Sequence, residues 1–254
     1  YLDYSKKVKN IYKDYTDRIE SFGIDEAWLD VTESVSRFGS GEKIADEIRR
    51  RVKEEIGLTV SIGVSFNKVF AKLGSDLKKP DAVTCITKEN FKKLIWGLPV
   101  EDLLFVGRAT KEKLNNLGVS TIGGLARFDS KILKLKFGKV GEKLWAYANG
   151  LDSEPVKKYT EEDEIKSVGN SLTFYRDVYT LEDVEMLFYF LAESVSERMK
   201  VYGKGFAKTL HLTVIDKELS HHSFQCPLEV ATSASNVIAE TASKLLQRHF
   251  DPQI

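Results

Sequence analysis

The chain has 254 residues, 42% hydrophobic and 30% charged, with 38 basic side chains against 38 acidic ones. That length allows two or three domains, and the apolar share is enough for a real core, which excludes a disordered or low-complexity protein. Zero net charge argues on its face against a strongly basic nucleic-acid binder and against an acidic solvating chain. No apolar run reaches the ~18–20 residues of a membrane span and no basic-then-apolar leader opens the chain, so a cytoplasmic location is expected. Cys85 and Cys226 lie far apart in strand-like runs and read as small hydrophobes of a reducing compartment rather than as a disulfide.

Leu2, Val8, Ile11, Tyr12 and Tyr15 recur at helical spacing, so the chain opens inside a predicted helix and is expected to be a fragment. Residues 18–22 and 27–31 read as strands joined by the turn Gly23-Ile24-Asp25-Glu26. Residues 42–56 form an amphipathic helix carrying Ile44, Ala45, Ile48, Val52 and Ile56, closed by Gly57. Residues 59–64 alternate as a strand. Asn67 caps a helix to about Lys78, Lys79-Pro80 ends it, and residues 82–86 are a further strand. This order predicts an α/β unit over residues 1–87 with an antiparallel or mixed sheet. Residues 88–156 read as short helices punctuated by Gly118, Gly123-Gly124, Gly138 and Gly141. A solvated acidic linker, 157–166, precedes a second α/β unit over 167–254. Its order is strand 165–174, helix 181–201, strands 206–216 and 219–226, then helix 234–250. That series calls for one more strand, so the C-terminus is also expected to be clipped.

Three segments carry chemistry. Adjacent Asp25 and Glu26 at a hairpin turn repel unless they are solvated or hold a cation. Mg²⁺ takes hard oxygen ligands of this kind, with phosphate oxygens completing its shell, although an ordinary polar turn has the same composition. The helix after Asn67 ends among Lys72, Lys78 and Lys79, which suit either a triphosphate or a solvated face. Residues 105–119, Phe-Val-Gly-Arg-Ala-Thr-Lys-Glu-Lys-Leu-Asn-Asn-Leu-Gly-Val, read as helix, glycine turn, helix. Such a helix-hairpin-helix holds a DNA phosphate on turn amides without reading bases, and a plain helical hairpin shares the pattern.

In this order the three segments resemble the Y-family DNA polymerases of the polymerase IV type, the ImpB/MucB/SamB superfamily. Residues 144–156 resemble that family's thumb exit, and Lys166-Ser167-Val168-Gly169-Asn170-Ser171-Leu172-Thr173-Phe174 the opening strand of its little finger. The resemblance implies an α+β protein: a truncated palm with a ferredoxin-like sheet and helices, a helical thumb with a helix-hairpin-helix, and a little-finger α/β sandwich. It implies translesion synthesis and DNA repair by two-metal nucleotidyl transfer from dNTP to a primer 3′-hydroxyl, with two Mg²⁺ ions. Asp25 would ligate metal, Glu26 would ligate metal or position the primer hydroxyl, and Lys79 would contact the triphosphate. Gly107, Arg108, Thr110 and Lys111, with Ser167, Ser171, Thr173 and Arg176, would contact primer–template DNA. The implied protein is a monomer whose sliding clamp binds a tail beyond this chain. Departures are visible too. The third metal carboxylate and the fingers would precede Tyr1, Gly23 replaces a family Ser, and Phe105 replaces the first turn glycine. This chain alone is therefore expected to bind DNA weakly and to lack polymerase activity. The alternatives are a non-catalytic DNA-binding relative and a nucleotide cyclase-like palm enzyme.

In the second unit Val168, Leu172 and Phe174 share one face of a predicted strand, and Ser167, Ser171 and Thr173 the other. Leu210, Leu212 and Val214 alternate likewise with Thr209, His211 and Thr213, and His221-His222 reads as surface strand rather than metal site. The neutral total is a cancellation. Residues 1–156 hold 27 basic and 23 acidic side chains, residues 157–254 hold 11 and 15, and residues 88–150 alone hold 12 against 6. The thumb is thus expected to carry more of a salt-sensitive DNA interaction than the acidic little finger.

Overall fold

The computed structural model describes residues 1–161, 165–201 and 205–249, which fall into two units, Tyr1–Glu162 and Asp163–Ile254. The first unit opens with α1 (Leu2–Lys13), followed by an antiparallel hairpin of β1 (Ile19–Phe22) and β2 (Glu26–Leu29). A single turn, α2 (Val35–Phe38), leads to α3 (Gly41–Arg51), where Ser40 Oγ accepts from the Lys43 amide at 3.3 Å. A wider turn, Val52–Ile56, extends this helix until Gly57 stops it at φ +76°, a left-handed conformation that suits glycine. Then β3 (Ile62–Ser65), α4 (Lys68–Leu77) and β4 (Val83–Ile86) make a parallel β-α-β crossover. Asn67 caps α4 as its sequence position predicts, its Oδ1 accepting from the Phe70 amide at 2.8 Å.

Side-chain alternation gives the hairpin two dissimilar faces. Ile19 is buried and Leu29 packs against a core built from Ile11, Tyr15, Ile44, Ile48 and Val52. The register places Phe22 opposite Glu26 and Glu20 opposite Trp28, so these four residues share the other face. That face meets α4, where Trp28 Nε1 donates to the Lys68 carbonyl at 2.9 Å. The strands, expected in one antiparallel or mixed sheet, lie in two separate pairs, and α4 rather than a strand ladder holds the hairpin. Residues 59–61, expected in the strand, precede the ladder. The approach of α4 to β3 depends on a bare backbone, since a Cβ on Gly63 would sit 1.9 Å from the Ala71 carbonyl oxygen.

The helical region follows as α5 (Phe91–Ile95), a 3-10 turn (Val100–Asp102), α6 (Arg108–Asn115), α7 (Ile122–Arg127), α8 (Ser130–Phe137) and α9 (Lys139–Ala148). Its core is continuous with the crossover: Phe70 and Leu73 of α4 and Ile86 of β4 pack with Ile95, Leu114, Leu125, Leu133 and Leu144. Within residues 105–119, expected as helix, glycine turn, helix, only α6 forms, and the stretch Leu103–Gly107 before it is irregular, with Phe105 at φ +71°.

The second unit contains α10 (Leu181–Val201), the antiparallel pair β5 (Ala207–Ile215) and β6 (His221–Thr232), and α11 (Ser235–His249). Phe188, Ala192 and Met199 of α10 pack with Ile238, Ala239, Ala242 and Leu246 of α11, over Leu210, Leu212 and Val214 of β5. Thr209, His211 and Thr213 face outward, as the alternation predicts. The strand expected over 165–174 does not form. Its groups pair with side chains instead: Arg198 Nη1 donates to the Gly169 carbonyl at 2.8 Å, and Asn170 Nδ2 donates to Ser194 Oγ at 2.9 Å. Residues 162–164 of the expected linker and residue 250 of the last predicted helix lie outside the described residues. Among the described residues, no helix is long and apolar enough to cross a membrane.

Candidate active site

Lys68, Lys72 and Asp76 recur every fourth residue on α4 and therefore share one side of it. The hairpin turns Glu20 and Glu26 toward that side. Lys68 Nζ lies 3.1 Å from Glu20 Oε2 and Lys72 Nζ lies 3.0 Å from Glu26 Oε1. Lys72 also reaches Asp76 Oδ2 at 2.7 Å, and Asp76 Oδ1 lies 2.6 Å from Lys79 Nζ. A run of alternating charge, Glu26–Lys72–Asp76–Lys79, thus connects the acidic hairpin to the residue before Pro80. Burial opposes charge on both central members, yet their hydrogen bonds prevail: Asp76 is held below the ordinary carboxylate range and Lys72 above the ordinary amine range.

Asp25 occupies the exposed turn, its Oδ2 accepting from Tyr1 Oη at 3.1 Å, and this bond raises the Tyr1 hydroxyl above its usual range. Ser5 Oγ donates to the Ile24 carbonyl and secures the same turn to α1. Asp25 and Glu26 have the hard oxygen donors that a small divalent cation prefers. Among the described residues no group of three or more His, Cys, Asp or Glu is placed to hold a metal, so the pair fits such an ion as part of its shell. His222 illustrates the contrast, since its Nε2 lies 2.9 Å from Asp216 Oδ2 at the β5–β6 turn.

The charged end of α4 opens onto a cleft of about 370 Å³ whose opposite wall is the turn Leu103–Gly107. Within that turn Phe105 takes φ +71°, a left-handed conformation that favours glycine. Its ring stacks on Tyr147 at 6.1 Å, with Lys143 Nζ 5.8 Å from its centroid. Gly107 is the N-cap of α6 with extended backbone, and a Cβ there would meet nothing within 4 Å. Of the residues expected on DNA in this segment, Arg108 is 93% exposed and pairs with Glu112, while Lys111 pairs with Glu101. Thr110 is half-buried on α6. In the second unit Ser167, Ser171 and Thr173 are exposed. Arg176 is exposed too, but its guanidinium lies 3.1 Å from Asp183 and over the Phe174 ring.

Glu26 and Lys79 are therefore joined through Lys72 and Asp76, while Asp25, next to Glu26 in sequence, bonds Tyr1 in the exposed turn. The lysines around α4 read from sequence as one set, whereas in the structure Lys72 and Asp76 join the hairpin to Lys79. The i, i+4 spacing of 68, 72 and 76 against acidic residues on a predicted hairpin was the available signal.

An acidic hairpin braced by a crossover helix, followed by a helical region with a hairpin turn and a separate α/β unit, is the architecture of a DNA-polymerase palm, thumb and little finger. Family models match in the same order: the impB/mucB/samB family over residues 1–76, the DNA polymerase-iota thumb domain over 101–152, and the impB/mucB/samB C-terminal domain over 165–254. A DNA polymerase IV of Acetivibrio thermocellus is 53% identical over 99% of this chain, which spans 63% of that relative. One from Clostridium perfringens is 36% identical over 97% of the chain, covering 67% of the relative. A solved Y-family DNA polymerase chimera built around Dbh superposes with a TM-score of 0.81 at 24% identity, over 97% of this chain and 70% of that one. DinB from Sulfolobus solfataricus gives 0.57 at 24% identity, over the same shares. The chain belongs to the impB/mucB/samB family, the Y-family DNA polymerases of the polymerase IV type.

Proposed function

We propose that this chain is the catalytic core of a template-directed DNA polymerase acting in translesion synthesis and repair, with palm 1–87, thumb 88–156, linker 157–166 and little finger 167–254. The observation that carries the reading is the ionic run joining Glu26, beside Asp25, to Lys79 across α4. Asp25 and Glu26 would contribute carboxylate oxygens to divalent metal, two Mg²⁺ ions in this reading. When bound, such ions lower the pKa of an attacking hydroxyl and offset phosphate charge. The chain's own residues position the rest. Tyr1 fixes the Asp25 carboxylate, Lys72 fixes Glu26, and Lys79 on the open side of Asp76 presents an ammonium to the incoming triphosphate.

Primer–template DNA is held by the open first turn of α6 at Gly107, with Arg108, Thr110 and Lys111, and by Ser167, Ser171, Thr173 and Arg176. The sliding clamp, the monomeric state and the cytoplasmic location belong to the same proposal. A solved relative described as an insertion ternary complex of Dbh DNA polymerase, TM-score 0.58 at 23% identity, supports the fold on which this reading rests. In the whole protein, Asp25→Ala should reduce metal-dependent primer extension by about 10²–10³-fold, the order expected when a charge-stabilising group is lost from a reaction centre. Extension retained within tenfold would overturn the site assignment.

A further inference from the structure

Asp25 and Glu26 are adjacent but meet different partners. Asp25 accepts a neutral hydroxyl, whereas Glu26 lies 3.0 Å from an ammonium. The Lys72 side chain is only 18% exposed and is anchored from behind by Asp76 at 2.7 Å, one turn along its own helix. That second anchor lets Lys72 leave Glu26 without becoming unpaired. Lys72 also lines the cleft beside the Leu103–Gly107 turn, so a charged group entering there approaches it directly.

Resting on the reading of Asp25 and Glu26 as the metal pair, we propose that Lys72 is a positioning residue that acts as the resting counter-cation of Glu26. It orients the carboxylate while weakening its grip on a free divalent ion, because two cations a few ångströms apart repel. A metal arriving with phosphates brings negative charge that offsets Lys72, so the site favours metal delivered with nucleotide over metal alone.

The test is Mn²⁺ binding by the 254-residue chain, followed as loss of the free-ion electron paramagnetic resonance signal, without nucleotide or DNA. Lys72→Met, which keeps the aliphatic stem and removes the charge, should bind Mn²⁺ about tenfold more tightly than the parent. That is the Coulomb repulsion between a divalent ion and an ammonium roughly 6 Å apart in a water-like medium. Lys72→Arg should restore parental affinity. A merely structural role moves the result the other way, since a disordered Glu26 binds metal more weakly. Unchanged or weaker binding in Lys72→Met therefore overturns the proposal. If Asp25→Ala binds Mn²⁺ as well as the parent does, the acid pair is not the metal site, and the functional reading falls with the proposal.

Discussion

At Phe105 two effects of similar size oppose each other. A left-handed backbone costs a residue with a Cβ about 1–2 kcal/mol relative to glycine, and Phe105 sits at φ +71°. Its tilted stack on Tyr147 returns about 0.5–1.5 kcal/mol. Phe105→Gly removes both and should leave stability within about 0.5 kcal/mol. Phe105→Ala keeps the strain and loses the stack, and should be destabilised by about 1 kcal/mol. Trp28, Trp96 and Trp145 all lie in the first unit, so urea unfolding followed by tryptophan fluorescence reports the stability of the unit that contains this turn. Equal losses in the two variants would show that the left-handed backbone carries no cost.

At the scale of elements, the acidic hairpin is only as well placed as α4, and α4 is placed by Gly63. A Cβ there would overlap the Ala71 carbonyl oxygen and lie 2.6 Å from the Ser75 amide, which are backbone atoms no rotamer change can move. Gly63→Ala should therefore lift α4 and cost about 3 kcal/mol or more, loosening the Lys68–Glu20 and Lys72–Glu26 pairs as well. Gly97→Ala, with nothing within 4 Å, is the control and should shift the urea midpoint little. A Gly63→Ala midpoint equal to that of Gly97→Ala would contradict the close approach. Much of this scaffold was legible beforehand. The helix over 42–56 announces itself by its period, the helix after Asn67 by its cap, and the hairpin by its turn. What stayed hidden depends on distant partners. Glu26 and Lys72 are 46 positions apart and meet only through the crossover. Alternation in residues 165–174 describes two faces but cannot supply the neighbouring strand that makes a ladder. Nor does Phe105 announce its backbone angle, because a bulky residue there is read as helix or core before it is read as a strained turn.

For the whole molecule, neutrality conceals an uneven distribution, and exposure decides which charges a polyanion can use. Residues 88–150 carry twice as many basic as acidic side chains, and Arg108 projects almost fully into solvent at the start of α6 with only an i, i+4 pair to Glu112. An exposed pair of that kind is worth about 0.3–0.5 kcal/mol and yields readily to a phosphate. Arg176, in the acidic second unit, is committed more deeply, with Asp183 at 3.1 Å and the rings of Phe174 and Tyr175 beneath its guanidinium. Removing a cation that neutralises one phosphate should lower the slope of log affinity against log salt by roughly 0.7–0.9. Arg108→Ala should therefore flatten the salt dependence of binding to a primer–template duplex by nearly one such unit, whereas Arg176→Ala should change it by less than half as much. The measurement is fluorescence anisotropy of a labelled duplex across a salt series, with all 254 residues present in every variant. A larger drop in slope at Arg176 would assign the electrostatic grip to the second unit despite its net negative charge. It would also mean that the Asp183 pair opens on binding, because a guanidinium tied to a carboxylate releases no counterion from the duplex until that tie is broken.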